Sequence, residues 1–387
     1  GLGDVYKRQG QSDVTVRGGL FENTGFKVGA VTITDPQTGH YVAELPLDPA
    51  LMGAPAILKG IDSAVEGFNS AIATVSYRLR RITDSGAITA GAGSDALNYQ
   101  SLYYADSSGK IAGKDIGFAL SLARSEGDGS IEFGDHEFAR ANIQLQHATD
   151  STQSDLILSY QDKFYGWPGA YTGFATLPEI DDTQTTLLLA NHRRDYGSSW
   201  IEVGGFYRRL EDDYDFNRTN FENGAPGSFE HETKVVGLGL QGQTNAGGVT
   251  WRYGAQVTAD ELVRSTDLTN GEFTKRRYAT ISLVPSIQTQ TAAGNMIIWQ
   301  AGATLESFNI AFTVDAAVFG SGGKAAASGA QEAASATPGA AASSPAAAPS
   351  APIVSAAPMA QSPASAARDG SAVPKAPQAA PAAQSKA

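Results

Sequence analysis

Apolar and polar side chains alternate along much of this chain with a period of two. In "GVTWRYGAQVT", Val249, Trp251, Tyr253, Ala255 and Val257 share one face, and Thr250, Arg252, Gly254, Gln256 and Thr258 share the other. "FARANIQLQH" sets Ala139, Ala141, Ile143 and Leu145 against Arg140, Asn142, Gln144 and Gln146. "KVVGLGLQG" sets Val236, Leu238 and Leu240 against Gly and Gln. Period two means strands with one apolar and one polar face. The pattern predicts eleven of them, near 84–93, 96–105, 111–124, 137–147, 153–164, 183–192, 198–211, 230–242, 248–259, 276–288 and 294–308.

A soluble β-sandwich also alternates, so the connections carry the next step. Every second connection is short: "DSSGK", "ATDST", "RRDYG", "QTNAG" and "TQTAA". The others, after the first, are long: Ser125–His136, Tyr165–Asp182, Asp212–Phe229 and Asp260–Lys275. One end of the sheet then bears tight turns and the other bears large loops, as in transmembrane barrels of the outer membrane. Trp251 and Trp299 each lie early in a strand rising from a short turn, on the apolar face, where an aromatic girdle would sit. Trp200 shares a face with Glu202 and does not fit that position, and Trp167 lies in a long loop.

The regions on either side read differently. Residues 11–81 are short strands broken by Gly, Pro and Asp, with dense turn chemistry in "TDPQTGHY". From Ser321 the chain is rich in Ala, Ser and Pro, lacks aromatics, and holds more than half of the 17 prolines. Such a composition cannot bury enough apolar surface to offset chain entropy. It reads either as a disordered tail, placed at 313–387, or as frame-shifted translation of GC-rich DNA. The first residues, "GLGDVYKRQG", have no apolar core for a signal peptide and resemble translated sequencing adapter, so residues 1–10 are set aside as an artefact.

Composition narrows the function classes. A net charge of −12 argues against a nucleic-acid partner. With no cysteine there is no disulfide scaffold and no thiol nucleophile. No run of 18 apolar residues occurs, which leaves a β-barrel as the membrane-spanning option.

Four segments of the first region then take on meaning. "VTVRGG" (Val14–Gly19), "DPQTGHY" (Asp35–Tyr41), "ELPLDP" (Glu44–Pro49) and "ILKGIDSAVEGFNSAIATVSYRLR" (Ile57–Arg80) together resemble the plug domain of TonB-dependent outer-membrane receptors, in its cobalamin-receptor-like branch. The resemblance implies an all-β fold. An N-terminal plug (11–81, partial) would precede an antiparallel transmembrane barrel (82–312, partial, about 11 strands). A wide barrel cannot fill its lumen with wall side chains, so a compact Gly-rich domain must cork it. Gly18 and Gly19 allow close approach, Asp35-Pro36 fixes a turn, and Gly39 can supply positive φ.

The family implies uptake of a scarce nutrient complex, cobalamin, iron-siderophore or similar, across the outer membrane of a Gram-negative bacterium. The TonB–ExbB–ExbD energy-transducing complex would drive it with the proton gradient, and no bond in the cargo would break. Outer-membrane lipid is the other partner. The chain lacks a signal peptide and TonB box and has about half the strands of such a receptor, so it reads as an incomplete copy. The resemblance places Phe21, Glu22, Asn23 and Thr24 in an apical loop facing ligand, with Trp167 and Tyr171 in the long loops above. Asp212, Asp213 and Asp215 in "EDDYDFN" are hard oxygen ligands at close spacing, so calcium is the one cofactor the pattern offers; a solvated acidic loop is the plainer reading.

Enzyme readings find little support. "GLGLQG" (Gly237–Gly242) has dinucleotide-loop spacing but lies inside a strand, where glycines serve close packing of the wall. "GAGSDA" (Gly91–Ala96) is a hairpin turn. His40, His136, His147, His192 and His231 are not at metal-ligand spacing. Two rivals to the receptor stay in view: a passive porin-like barrel, and a soluble β-sandwich binding module.

Overall fold

A computed structural model describes residues 13–19, 21–37, 40–68, 70–111, 113–170, 177–219, 228–246, 249–267, 271–272, 276–290, 296–306 and 309–319. It holds two sheets. The first is built from the N-terminal region. A single 3-10 turn, Phe21–Asn23, leads into β1 (Thr24–Val28), β2 (Val31–Ile33), β3 (Ala56–Lys59), the six-residue helix α1 (Ile61–Glu66) and β4 (Ala73–Tyr77). The strand order is β2-β1-β4-β3, with β1 and β4 parallel and the other pairs antiparallel.

The second sheet has 13 strands. They are β5 (Ser85–Ala92), β6 (Asn98–Ile111), β7 (Lys114–Gly127), β8 (His136–Ala148), β9 (Thr152–Gly166), β10 (Ile180–Tyr196), β11 (Ser199–Asp215), β12 (Ser228–Ala246), β13 (Val249–Asp267), β14 (Gly271–Glu272), β15 (Arg276–Gln290), β16 (Met296–Glu306) and β17 (Asn309–Phe319). Each pairs antiparallel with the next along the chain, except that β15 follows β13 and the short β14 pairs β13 alone. The sheet is open, with β5 and β17 at its edges.

The wall turns its apolar face outward. Ile143, Leu238 and Val257 are 43%, 65% and 39% exposed. Register sets such side chains in rows across the strands: Tyr104 opposite Leu120, then Ile143, Leu158, Leu188, Tyr207 and Val236. Two stacked sheets would hide these residues between them. The soluble-sandwich reading is therefore overturned.

Above that row on β11 to β13 the outward positions become ionised: Arg209 pairs with Glu211 and Glu232, and Arg264 with Glu230. Strands of 17 residues rise about 55 Å along their length, more than the roughly 25 Å apolar band of such a wall. The excess projects past the apolar belt on the long-loop side.

The opposite face of the wall curls round the first sheet. Val28, Val31, Ile33, Leu47, Leu51 and Met52 of the plug pack with Ala105, Ala119, Ile157, Leu187, Leu189 and Phe206 of the wall in one buried cluster. Tight turns at 149–151 and 197–198 mark one end, and the described connecting residues 128–135, 167–170, 177–179 and 216–219 mark the other.

Four features depart from the sequence expectation. The sheet gains two strands, the two-residue β14 within the expected loop 260–275 and β17, which occupies 309–319 where the tail was placed from 313. "DSSGK" is no turn: Asp106 accepts from the Ser108 N–H and Oγ at 2.7 and 2.6 Å. This local bonding folds the extra residues into a bulge, and β6 runs on to Ile111, paired with Lys114 of β7. Asp212, Asp213 and Asp215 belong to β11 rather than to a loop, since pairing with β10 continues to Asp215. Glu306, the last residue of β16, pairs with Asn309, the first of β17, so no long connection separates these two strands.

Candidate ligand-binding site at the mouth of the barrel

The plug is held mainly through its backbone. Three wall amides each grip it at two points. Asn142 accepts from the Asp48 N–H at 2.9 Å and donates to the Pro46 carbonyl at 2.6 Å. Gln146 accepts from the Ile82 N–H at 2.8 Å and donates to the Arg80 carbonyl at 2.9 Å. Gln256 accepts from the Thr32 N–H at 2.8 Å and donates to the Thr32 carbonyl at 3.0 Å. Asn191 also accepts from the Ala30 N–H at 3.0 Å, and Gln241 donates to the Gly29 carbonyl at 3.2 Å. Strand β2 is an edge of the plug sheet and the other gripped residues lie outside its strands, and a buried backbone group without a partner is costly. Inward-facing Asn and Gln supply those partners.

Wall glycines let the plug come close. A Cβ on Gly239 would lie 2.2 Å from the Ala30 carbonyl oxygen, and one on Gly254 would lie 2.2 Å from that of Val65. Within "GLGLQG", Gly239 thus serves packing of the wall against the plug, while Gly237 and Gly242 make room for the Phe206 and Tyr253 rings of neighbouring wall strands.

Ion pairs fix the rest. Arg208, buried on β11, binds the Asp35 carboxylate and donates to the Tyr41 carbonyl at 3.1 Å. Lys163 pairs with Glu44. Asp48 takes Arg140 at 2.8 Å and the Ser121 hydroxyl at 2.7 Å. Burial pushes its carboxyl up, but the bonds from Ser121, the Ala50 N–H and Arg140 outweigh that, and the net direction is down. Arg252 bridges Asp62 at 2.5 Å and Glu66, anchoring α1 to β13. Lys27 donates to Gln241 and lies 3.7 Å from Glu66. Burial pulls its ammonium down to about 8, against the pull of Glu66 and Glu202.

Two cavities open on the long-loop side. The first, about 310 Å³, sits at the plug apex between Phe21, Glu22, Thr24, Ile33, Gln37 and Val42. The Asp35 carboxylate accepts from the Gln37 N–H at 2.8 Å and so shapes the turn expected of "DPQTG". Phe21 stacks on His40 at 4.2 Å, and His40 meets Asp13 at 3.0 Å. The second cavity, about 350 Å³, lies among the loops; Leu97, Ile131, His136, Tyr165 and Trp167 line it. There the Trp167 ring lies 5.6 Å from that of Tyr165, and the Ser125 hydroxyl is 2.9 Å from His136 Nε2.

The candidate residues therefore divide. Phe21, Glu22 and Thr24 meet in the apical cavity. Asn23 contributes its carbonyl to the Ile72 N–H at 3.1 Å instead. Trp167 belongs to the second cavity, and Tyr171 lies outside the described residues, as does Gly39. Asp35, Gln37 and Val42 were missed as site residues, although Asp35 and Gln37 stand in the quoted turn. His136 and Tyr165 face each other only through strand register, which no local motif announces.

The aspartates of β11 do not converge. Asp212 is lumenal and accepts from Gln37 Nε2 at 2.5 Å. Its neighbour Asp213 projects from the other face of the strand, as period two requires. Among the described residues no set of three His, Asp or Glu side chains is arranged to hold a metal.

No protein-family model and no curated protein matches the sequence. Solved structures do match in fold. A siderophore receptor, PirA of Pseudomonas aeruginosa, aligns with 82% of this chain and 55% of its own at 12% identity, TM-score 0.57. The pyoverdine outer-membrane receptor FpvA of Pseudomonas aeruginosa aligns with 82% and 56% at 13% identity, TM-score 0.55. The alcaligin outer-membrane receptor FauA of Bordetella pertussis aligns with 82% and 55% at 12% identity, TM-score 0.52. The fold is thus the plug-and-barrel fold of outer-membrane receptors, and the chain spans about half the length of these structures.

Proposed function

We propose that this chain is part of a TonB-dependent receptor in the outer membrane of a Gram-negative bacterium, which captures a scarce nutrient complex at the long-loop end and passes it inward. The observation that carries this reading is the seating of a separate N-terminal domain inside a wall whose apolar face points outward. A porin has no use for five lumenal amides that reach the backbone of such a domain. Cargo binds at the plug apex and beneath the loops, and the TonB–ExbB–ExbD complex draws on the proton gradient to displace the plug. The like-folded proteins are named for siderophores, which supports an iron complex ahead of cobalamin.

The test is genetic. Deleting the source gene should abolish growth on a limiting iron–siderophore complex, and a protonophore should block uptake in the parent strain. Uptake that survives the protonophore supports the porin reading. Growth unaffected by deletion on every limiting iron or cobalamin source would overturn the proposal.

A further inference from the structure

The apical cavity contains hydrogen-bonding groups with nothing to bond. Thr24 is 4% exposed, and its hydroxyl has no partner. The Gln37 amide is pinned twice, by its backbone N–H on Asp35 and by Nε2 on Asp212. Its oxygen Oε1 is left buried and without a partner. Glu22 stands exposed on the rim of the same cavity. A buried hydrogen-bonding group left unmade is costly; Gln37 Oε1 can only accept and the Thr24 hydroxyl can accept, so a ligand that supplies donors satisfies both.

Charge sharpens the class. Among the described residues no lysine or arginine lines the cavity. The nearby Arg208 is committed to Asp35 and the Tyr41 carbonyl. Phe21, Ile33 and Val42 add apolar lining to the same cavity. We infer that the apical cavity takes a hydrogen-bond-donating, ammonium-bearing group of the cargo, against an apolar or aromatic portion, and turns away carboxylate and phosphate groups. The inference rests on the receptor reading above, which makes the apex face the cargo.

Three probes share one ring and differ in the group at its end: tyramine (ammonium), tyrosol (hydroxyl) and 4-hydroxyphenylacetate (carboxylate). Binding of each to this chain in detergent micelles is read by saturation-transfer NMR. Tyramine should bind about tenfold more tightly than 4-hydroxyphenylacetate, because charge-assisted hydrogen bonds are the stronger ones, with tyrosol between. Thr24→Val should weaken tyramine without changing the strand signal in circular dichroism. Glu22→Lys, an exposed substitution that leaves the fold intact, should reverse the order of tyramine and 4-hydroxyphenylacetate.

Equal or tighter binding of the carboxylate overturns the inference. So does no binding of tyramine, which would leave the cavity to water, or binding that both substitutions leave unchanged. Nutrient uptake in cells without tyramine preference refutes only this inference; tyramine preference without uptake refutes only the receptor reading.

Discussion

Gln256 on the wall and Thr32 on the plug are joined by two hydrogen bonds, one to each backbone group of Thr32, at 2.8 and 3.0 Å. A single amide side chain stands in for a neighbouring strand. Removing it leaves a buried N–H and a buried carbonyl unpaired. Gln256→Leu should therefore destabilise plug docking by about 2 kcal/mol. Hydrogen exchange will show it as lost protection of the Thr32 amide. The effect should be the same at low and high salt, because both partners are neutral; a strong salt dependence would contradict the geometry.

Arg208 and Asp35 should behave differently. Both side chains are almost wholly buried, so each alone would be a charge without compensation. Arg208→Met should cost roughly 3–5 kcal/mol, read as a lower urea midpoint for plug release. Adding Asp35→Asn to that variant should recover part of the loss. A double-mutant cycle with no coupling would show that the pair does not hold the plug.

Lys27 sets a pH dependence of the same sign as the lowered carboxyl of Asp48, but in the alkaline range. Its ammonium falls to about 8 in the folded chain, from an ordinary 10.5. Below about pH 8 both states are protonated, and the burial penalty is fully present. Between 8 and 10.5 the unfolded chain binds a proton the folded chain has lost, so stability rises with pH by about 3 kcal/mol across the window. Urea midpoints measured from pH 7 to 10.5 should climb in the native chain. They should stay flatter in Lys27→Met, which also removes the penalty at pH 7.

How much of this was legible depends on the range of the forces involved. The outward placement of Ile143, Leu238 and Val257 follows from period two, a local property, and it was readable. So was the turn at Asp35, because an Asx side chain bonds its own backbone. Asp212 and Asp213 were misread for a different reason. Acidic composition resembles a loop, yet pairing with β10 carries the strand through them, and only register reveals that. The alternation of Ile310, Phe312, Val314 and Ala316 in β17 is present in the sequence but is obscured by the alanine-rich stretch that follows. The cavity around Thr24 and Gln37 is lined by plug residues between Phe21 and Val42, but the Gln37 amide is turned by Asp212 of β11, far away in the chain. No spacing rule reports which hydroxyl will lack a partner.

The outer face offers the plainest physical test of the architecture. Leu158 is 50% exposed, with Ile143 and Leu188 beside it in register. Exposed to water, such a row would be an aggregation hazard; facing acyl chains, it is the stable choice. Lysine at a lipid-facing position near the midplane costs about 2–4 kcal/mol, less toward the interface. Leu158→Lys should therefore lower the denaturation midpoint in phospholipid vesicles by an amount in that range. Arg209, already ionised beyond the belt, should tolerate Arg209→Glu in the lipid with less than half that effect, although its bonds to Glu211 and Glu232 are lost. Ser159, buried on the lumenal face beside Leu158 in sequence, makes the contrast sharper. Ser159→Leu should disturb plug packing while leaving vesicle insertion unchanged. If Leu158→Lys is neutral in vesicles, or if the lumenal variant fails to insert and the outer one does not, the two faces have been assigned the wrong way round.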